Sequence, residues 1–181
     1  MRLFIAVPLP ENIGNALQTL QEQYNTAGVR AVPLPNLHLT LYFLGEPPTT
    51  ALPALRQKLA QIAATHHSFN LTLEEIAPGP KLKLPRLIWA RFQNHPAFVT
   101  LSQSIFTALV ANAKPPADFI PHVTIARLQK DKPARHHLPI LRDLDFPGFP
   151  VQSFAIWQSE LASPHPRYSV LENFKLLQAD L

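Results

Sequence analysis

Apolar and polar positions along the chain fall into short runs with two distinct periods. "RLFIAVPL" (residues 2–9) is apolar almost throughout and reads as a buried strand. The pattern then changes to helical spacing. Pro10-Glu11-Asn12 opens a segment in which Ile13, Ala16, Leu17, Leu20 and Tyr24 form an i, i+3, i+4 stripe, predicting a helix that ends near Gly28. "LHLTLYFL" (37–44) alternates as a strand, closed by Gly45 and Pro47-Pro48. Thr49 or Thr50 is the expected cap of a second helix striped by Leu52, Leu55, Leu59 and Ile62, with Pro53 in its first turn. "FNLTLEEI" (69–76) and "RLIWARF" (86–92) read as two more strands.

The second half repeats this grammar. His95-Pro96 opens a helix running to about Ala111, with Phe98, Leu101, Ile105 and Leu109 on one face. "IPHVTIARL" (120–128) is the following strand. A Pro-rich, His-containing connection leads to strands "VQSFAIWQSEL" (151–161) and "YSVLENFKL" (168–176). Several strands are joined by loops too short for parallel crossovers. The expected fold is therefore α+β, with two pseudo-equivalent lobes interleaved in one folding unit spanning residues 1–181.

Two of these strands carry the same chemistry. Side chains i and i+2 of a strand share a face. His38 and Thr40 therefore point one way while Leu37, Leu39 and Leu41 point the other; His122 and Thr124 share a face in the same manner, opposite Val123 and Ile125. An imidazole beside a hydroxyl suits an anion, since the His can move a proton while the Thr donates to an oxygen. With 8 His and 10 Thr in 181 residues, about 0.4 His-x-Thr pairs arise by chance. One pair is noise. Two pairs in matching apolar contexts, 84 residues apart, look like a duplicated half-site. The competing reading is that each His is a core residue held by a main-chain carbonyl.

Composition adds limits rather than chemistry. An apolar fraction of 46% and a charged fraction of 15% describe a folded globule. No apolar stretch approaches the roughly 20 residues of a membrane span, and the opening apolar run reads as a strand rather than a cleaved leader. Zero cysteines exclude disulfides and thiolate metal sites and make a reducing cytoplasm the expected location. The formal net charge of +4 suits an anionic partner without identifying one. Basic residues gather at Lys81, Lys83, Arg86 and Arg91, and again at Arg127, Lys130, Lys132 and Arg135; solvated surface accounts for most of them. Arg127 differs because it lies in the second motif's own strand. His66-His67 follows a helix end, and His136-His137 sits in a basic loop. Neither forms a metal-ligand pattern, and none appears elsewhere.

The paired motifs, with "RLFIAVPLP", "NLHLTLYFLGE", "PRLIWARF", "FIPHVTIARL" and "SELASPHPRYSVLENFKL", resemble the 2H phosphoesterase superfamily. They are most similar to its bacterial and archaeal RNA 2′,3′-cyclic phosphodiesterase branch, often named 2′-5′ RNA ligase. The resemblance covers nearly the whole chain. It implies a bilobal fold, each lobe an antiparallel sheet backed by helices, related by a pseudo-twofold with the active groove between them. It also implies a monomer that uses no metal or other cofactor. RNA with 2′,3′-cyclic phosphate ends, or cyclic nucleotides, would be the substrate, hydrolysed to a 2′-phosphate; His38 is taken as proton donor and His122 as proton acceptor, the pseudo-symmetry of the lobes leaving the reverse open, with Thr40 and Thr124 on the phosphoryl oxygens. Joining of RNA halves through a 2′-5′ linkage, and non-catalytic binding of RNA ends, are the alternatives. Phe43 and Arg127 match substrate-binding positions. Yet each lies five residues after its His, so strict alternation places it on the wrong face unless a bulge intervenes. The family often has Gly before the Tyr of the last loop; here that loop is "SPHPRY", so a ligand contact from it is not carried over.

Overall fold

A computed structural model describes residues 1–110, 112–116, 118–129 and 137–179. Lys130, Lys132, Arg135 and His136, singled out above, lie outside them. The strands are β1 (Arg2–Pro8), β2 (Val29–Ala31), β3 (His38–Gly45), β4 (Phe69–Leu71), β5 (Leu73–Gly79), β6 (Leu87–Phe92), β7 (His122–Leu128), β8 (Leu141–Arg142), β9 (Phe149–Val151), β10 (Ser153–Glu160) and β11 (Arg167–Lys175). The helices are α1 (Glu11–Gln21), α2 (Leu52–Ala63) and α3 (Pro96–Leu109).

The strands form two antiparallel halves, β11-β10-β1-β3 and β7-β6-β5-β8, with β2 added to β7. The halves meet edge to edge where β3 and β7 pair antiparallel through Leu39 and Val123. The repeat seen in the sequence is a repeat in space. β1-α1-β3 and β6-α3-β7 follow the same course, and each helix crosses to the strand of the other half: α1 packs on β7 and α3 on β3. Gln21, at the end of α1, fastens that crossing, its Nε2 donating to the carbonyls of Val32 (2.8 Å) and Ile125 (2.7 Å).

One face of the sheet lies against the helices. Leu3, Ile5, Val7, Leu39, Ile88, Val123 and Ile125 are at most 1% exposed there, packed with Ile13, Leu17, Leu59, Leu101 and Ile105. Burial of this kind stabilises by about 1.5–3 kcal/mol per large side chain. β1 is apolar on both faces because its other face is covered too. Phe4 and Ala6 form a second, smaller cluster with Ala155 and Trp157, and Tyr168 packs against it.

Several expectations need correction. The first helix stops at Gln21 and finishes as a short 3-10 turn (Glu22–Tyr24), well before Gly28. Neither Thr49 nor Thr50 caps α2; both lie in a preceding 3-10 turn, and the N-cap is Ala51, with Pro53 in the first turn as expected. Residues 69–76 are not one strand. The chain breaks at Thr72, so β4 pairs with β9 in a separate two-stranded sheet while β5 joins the main one. At α3 the reading from His95 holds: its Nδ1 accepts from the amide of Ala97. Arg91 is not solvated surface. It is bonded to Glu74 and to the buried Glu75, both at 3.0 Å, and Glu75 also holds Arg142. No helix among the described residues is long and apolar enough to cross a membrane.

Candidate active site

The pair Leu39 and Val123 forms the centre of the site. One step along each antiparallel strand, on the face away from the helices, sets His38 beside Thr124 and Thr40 beside His122. Each motif thus supplies an imidazole to one side of the pseudo-twofold and a hydroxyl to the other.

The two residues of uncertain face are settled by register. Along β3, Pro8 pairs with His38, Ala6 with Thr40 and Phe4 with Phe43, because an extra residue enters between Thr40 and Tyr42. Phe4, Ala6 and Pro8 alternate regularly, so His38, Thr40 and Phe43 share one face. Along β7, Arg91 pairs with His122, Trp89 with Thr124 and Leu87 with Arg127, with the extra residue between Thr124 and Ala126. His122, Thr124 and Arg127 likewise share a face. The buried neighbours Ile125 and Ala126 mark the bulge directly. Phe43 and Arg127 therefore both point into the groove, at opposite ends. Phe43 is 70% exposed there.

The histidines are held alike. His38 Nδ1 lies 2.7 Å from the carbonyl oxygen of Asn36, and His122 Nδ1 lies 2.8 Å from that of Ile120. A carbonyl only accepts, so Nδ1 carries the proton in each ring and Nε2 is left to take or give one. His38 rests on the smaller aromatic cluster, with ring centroids 4.8 Å from Phe4, 5.4 Å from Tyr168 and 5.9 Å from Trp157. Burial there lowers its pKa to about 4; the carbonyl of Asn36 opposes the shift, while Arg127 and His122 add to it. His122 sits edge-on to Trp89 at 5.1 Å. Burial lowers its pKa as well, against the carbonyl of Ile120.

These residues line a groove of about 630 Å³, a size typical of small-ligand sites. Its wall includes the loop "SPHPRY" through Pro164, His165, Pro166 and Tyr168. Two side chains hold it in place: Asn36 Nδ2 donates to the carbonyl of Pro166 at 2.8 Å, and an Arg30 NH group to that of Pro164 at 3.0 Å. Among the described residues no three His, Asp or Glu side chains converge to ligate a metal. His66 serves structure instead, with Nδ1 2.8 Å from the carbonyl of Ile62 and Nε2 3.1 Å from the hydroxyl of Ser104.

The model of the 2′-5′ RNA ligase superfamily matches residues 9–162. The chain belongs to that superfamily. Among relatives of this superfamily member, the RNA 2′,3′-cyclic phosphodiesterase of Thermus thermophilus is 36% identical, with 97% of this chain and 90% of the relative covered. Among solved structures, TT0787 of Thermus thermophilus superposes with a TM-score of 0.85 at 31% identity, covering 99% of this chain and 100% of the other. Escherichia coli LigT complexed with 3′-AMP gives a TM-score of 0.78 at 27% identity, with 98% of each chain covered.

The superfamily's paired motifs are thus legible in the sequence, while their surroundings are not. Phe4, Trp157, Tyr168 and Asn36 all shape the setting of His38, and sequence reasoning named none of them for that role. The signal for Phe4 was present. In a strand apolar on both faces, one face has to be covered by something other than the helices.

Proposed function

We propose that this superfamily member is an RNA 2′,3′-cyclic phosphodiesterase that opens a terminal 2′,3′-cyclic phosphate to a 2′-phosphate. The observation that carries this reading is the pair of His-x-Thr motifs facing one groove, both imidazoles tethered through Nδ1 with Nε2 free. His122 Nε2 takes a proton from water as its oxygen bonds to phosphorus. The phosphorus–O3′ bond breaks, and His38, protonated in the complex, delivers a proton to O3′. Burial of His38, with Arg127 and His122 nearby, favours release of its proton. Thr40, Thr124 and Arg127 stabilise the charge gathering on the phosphoryl oxygens, work that a metal ion performs elsewhere. Phe43 stacks on the terminal base. The 181 residues act as one monomeric domain in the cytoplasm.

The test is product analysis of an oligonucleotide ending in a 2′,3′-cyclic phosphate. A 2′-phosphate end is expected; an intact ring or a 3′-phosphate end refutes the reading. The superfamily's name favours a second reaction, joining through a 2′-5′ linkage, in which a 5′-hydroxyl replaces water: its oxygen bonds to phosphorus as His122 takes its proton, the phosphorus–O3′ bond breaks, and His38 protonates O3′. Adding RNA with a 5′-hydroxyl end to the same incubation reveals it as a joined strand.

A further inference from the structure

Arginines among the described residues differ in whether a carboxylate holds them. Arg2, Arg56, Arg91 and Arg142 each have a carboxylate within 4.0 Å. Arg30, Arg86 and Arg127 have none among the described residues; Arg30 and Arg127 line the groove, and exposed Arg86 stands beside them just before β6. Arg30 and Arg127 are direct cross-strand partners on β2 and β7, where like charges repel. Arg86 immediately precedes Leu87, the cross-strand partner of Arg127, and its carbonyl accepts from the amide of Leu128 at 3.0 Å. Beyond Arg86 the β5–β6 hairpin turns through exposed Lys81 and Lys83. Arg30 spends one of its donors on the carbonyl of Pro164, leaving most of its fork unused.

Cations set against each other without carboxylates form a site for several anions spaced along a line. From this we infer that the strand upstream of the RNA terminus leaves the groove at its Arg127 end. Its phosphodiesters run from Arg30 past Arg86 to the Lys81 and Lys83 hairpin. The inference rests on the RNA reading above and sharpens it: the substrate is an oligonucleotide rather than a cyclic mononucleotide. Phe43 lies at the other end, so the terminal base and the upstream chain occupy opposite halves of the groove.

Contacts to phosphates release counterions, and for single strands the logarithm of affinity falls with the logarithm of salt by about 0.7 per phosphate. Three such contacts predict that kcat/KM for a decanucleotide with a 2′,3′-cyclic phosphate end falls about 20-fold between 50 and 200 mM salt. Cytidine 2′,3′-cyclic phosphate should respond far less. The variant K81Q/K83Q/R86Q, changed only at exposed positions, should flatten the oligonucleotide's salt dependence and lower the ratio of its kcat/KM to that of the mononucleotide. Equal salt slopes for the two substrates, or a ratio the variant does not move, overturns the inference. If the wild type turns over neither substrate, the cyclic-phosphate reading falls by itself. The track is then judged by fluorescence anisotropy of a labelled single-stranded RNA, where binding by the variant equal to wild type refutes it and weakened binding upholds it.

Discussion

The pKa of His38 provides a demanding test. Burial on Phe4, Trp157 and Tyr168, with Arg127 and His122 nearby, holds it at about 4 in the free protein. At pH 7 only about one molecule in a thousand then carries the proton an acid needs. Raising the pKa to about 7 requires about 4 kcal/mol of interaction with the bound ligand. A unit charge about 4 Å away, at an effective dielectric constant of about 20, supplies about 4 kcal/mol. One phosphate seated between Thr40 and Thr124 is therefore sufficient. The assay is proton NMR of the His38 ring across pH, free and with a nucleoside 2′-phosphate. The free ring should titrate near 4, the complexed ring about three pH units higher. Because His38 binds its proton more tightly in the complex, the nucleotide should bind more tightly as pH falls from 7 toward 4, by up to about tenfold per pH unit. Arg127→Gln should raise the pKa of the free ring. A free ring titrating near 6.5 refutes the burial argument, and a ring unmoved by the nucleotide refutes its use as the acid.

Four further outcomes are expected. His38→Ala and His122→Ala should each lower kcat by about 10²–10⁴ while nucleotide binding by calorimetry changes little, and EDTA should leave the wild type unaffected; near-normal turnover in either variant would sink the two-histidine mechanism. Phe43→Ala removes a base-stacking surface valued at about 1–3 kcal/mol, so KM for the cyclic oligonucleotide should rise about tenfold with kcat preserved. Gly79→Ala places a methyl group 2.6 Å from the indole of Trp89, the ring set edge-on against His122; overpacking should cost about 1–3 kcal/mol in urea unfolding, with shifted tryptophan emission and reduced kcat. Finally, a histidine held below its ordinary pKa binds fewer protons folded than unfolded. Folding stability should therefore drop by about 3 kcal/mol as pH falls from 6.5 to 4, and His38→Gln should remove that part of the slope in denaturation curves.

The elements that hold the motifs were legible because their periods were clean. The stripe from Ile13 to Leu20, the run of β1 and the alternation about Leu39 and Val123 each fit one template. What sequence could not supply falls into two kinds. β2, β8 and β9 have only two or three residues each, too few for any period, and they exist because a longer neighbour offers an edge. The break at Thr72 belongs here as well: "FNLTLEEI" alternates without a flaw, yet its two parts have different partners. The second kind concerns distance along the chain. Phe4 lies far in sequence from Trp157 and Tyr168 and meets them only because β1 runs between β3 and β10.

The bulges join the two kinds, since they show why a period-2 reading was right about the histidines and wrong about their ligand partners. A regular strand offers one face only at even spacings, so a His, a Thr and a residue at +5 cannot all serve one substrate. One inserted residue in each strand, just after the Thr, brings the third side chain to the working face. The insertion occurs at the same place in both strands, so the pseudo-twofold survives it. Only the chemistry at the fifth position then differs, a ring at Phe43 and a guanidinium at Arg127. Near the axis the two halves are interchangeable, and the His-x-Thr pairs alone give a ligand no direction. The asymmetry between the halves lies at those two bulge-delivered residues, and in the proposed complex the flat base lies toward Phe43 and the anionic chain toward Arg127. Exchanging them, with Phe43→Arg and Arg127→Phe in one protein, should therefore impair oligonucleotide turnover more than turnover of a cyclic mononucleotide, although both His-x-Thr pairs remain in place.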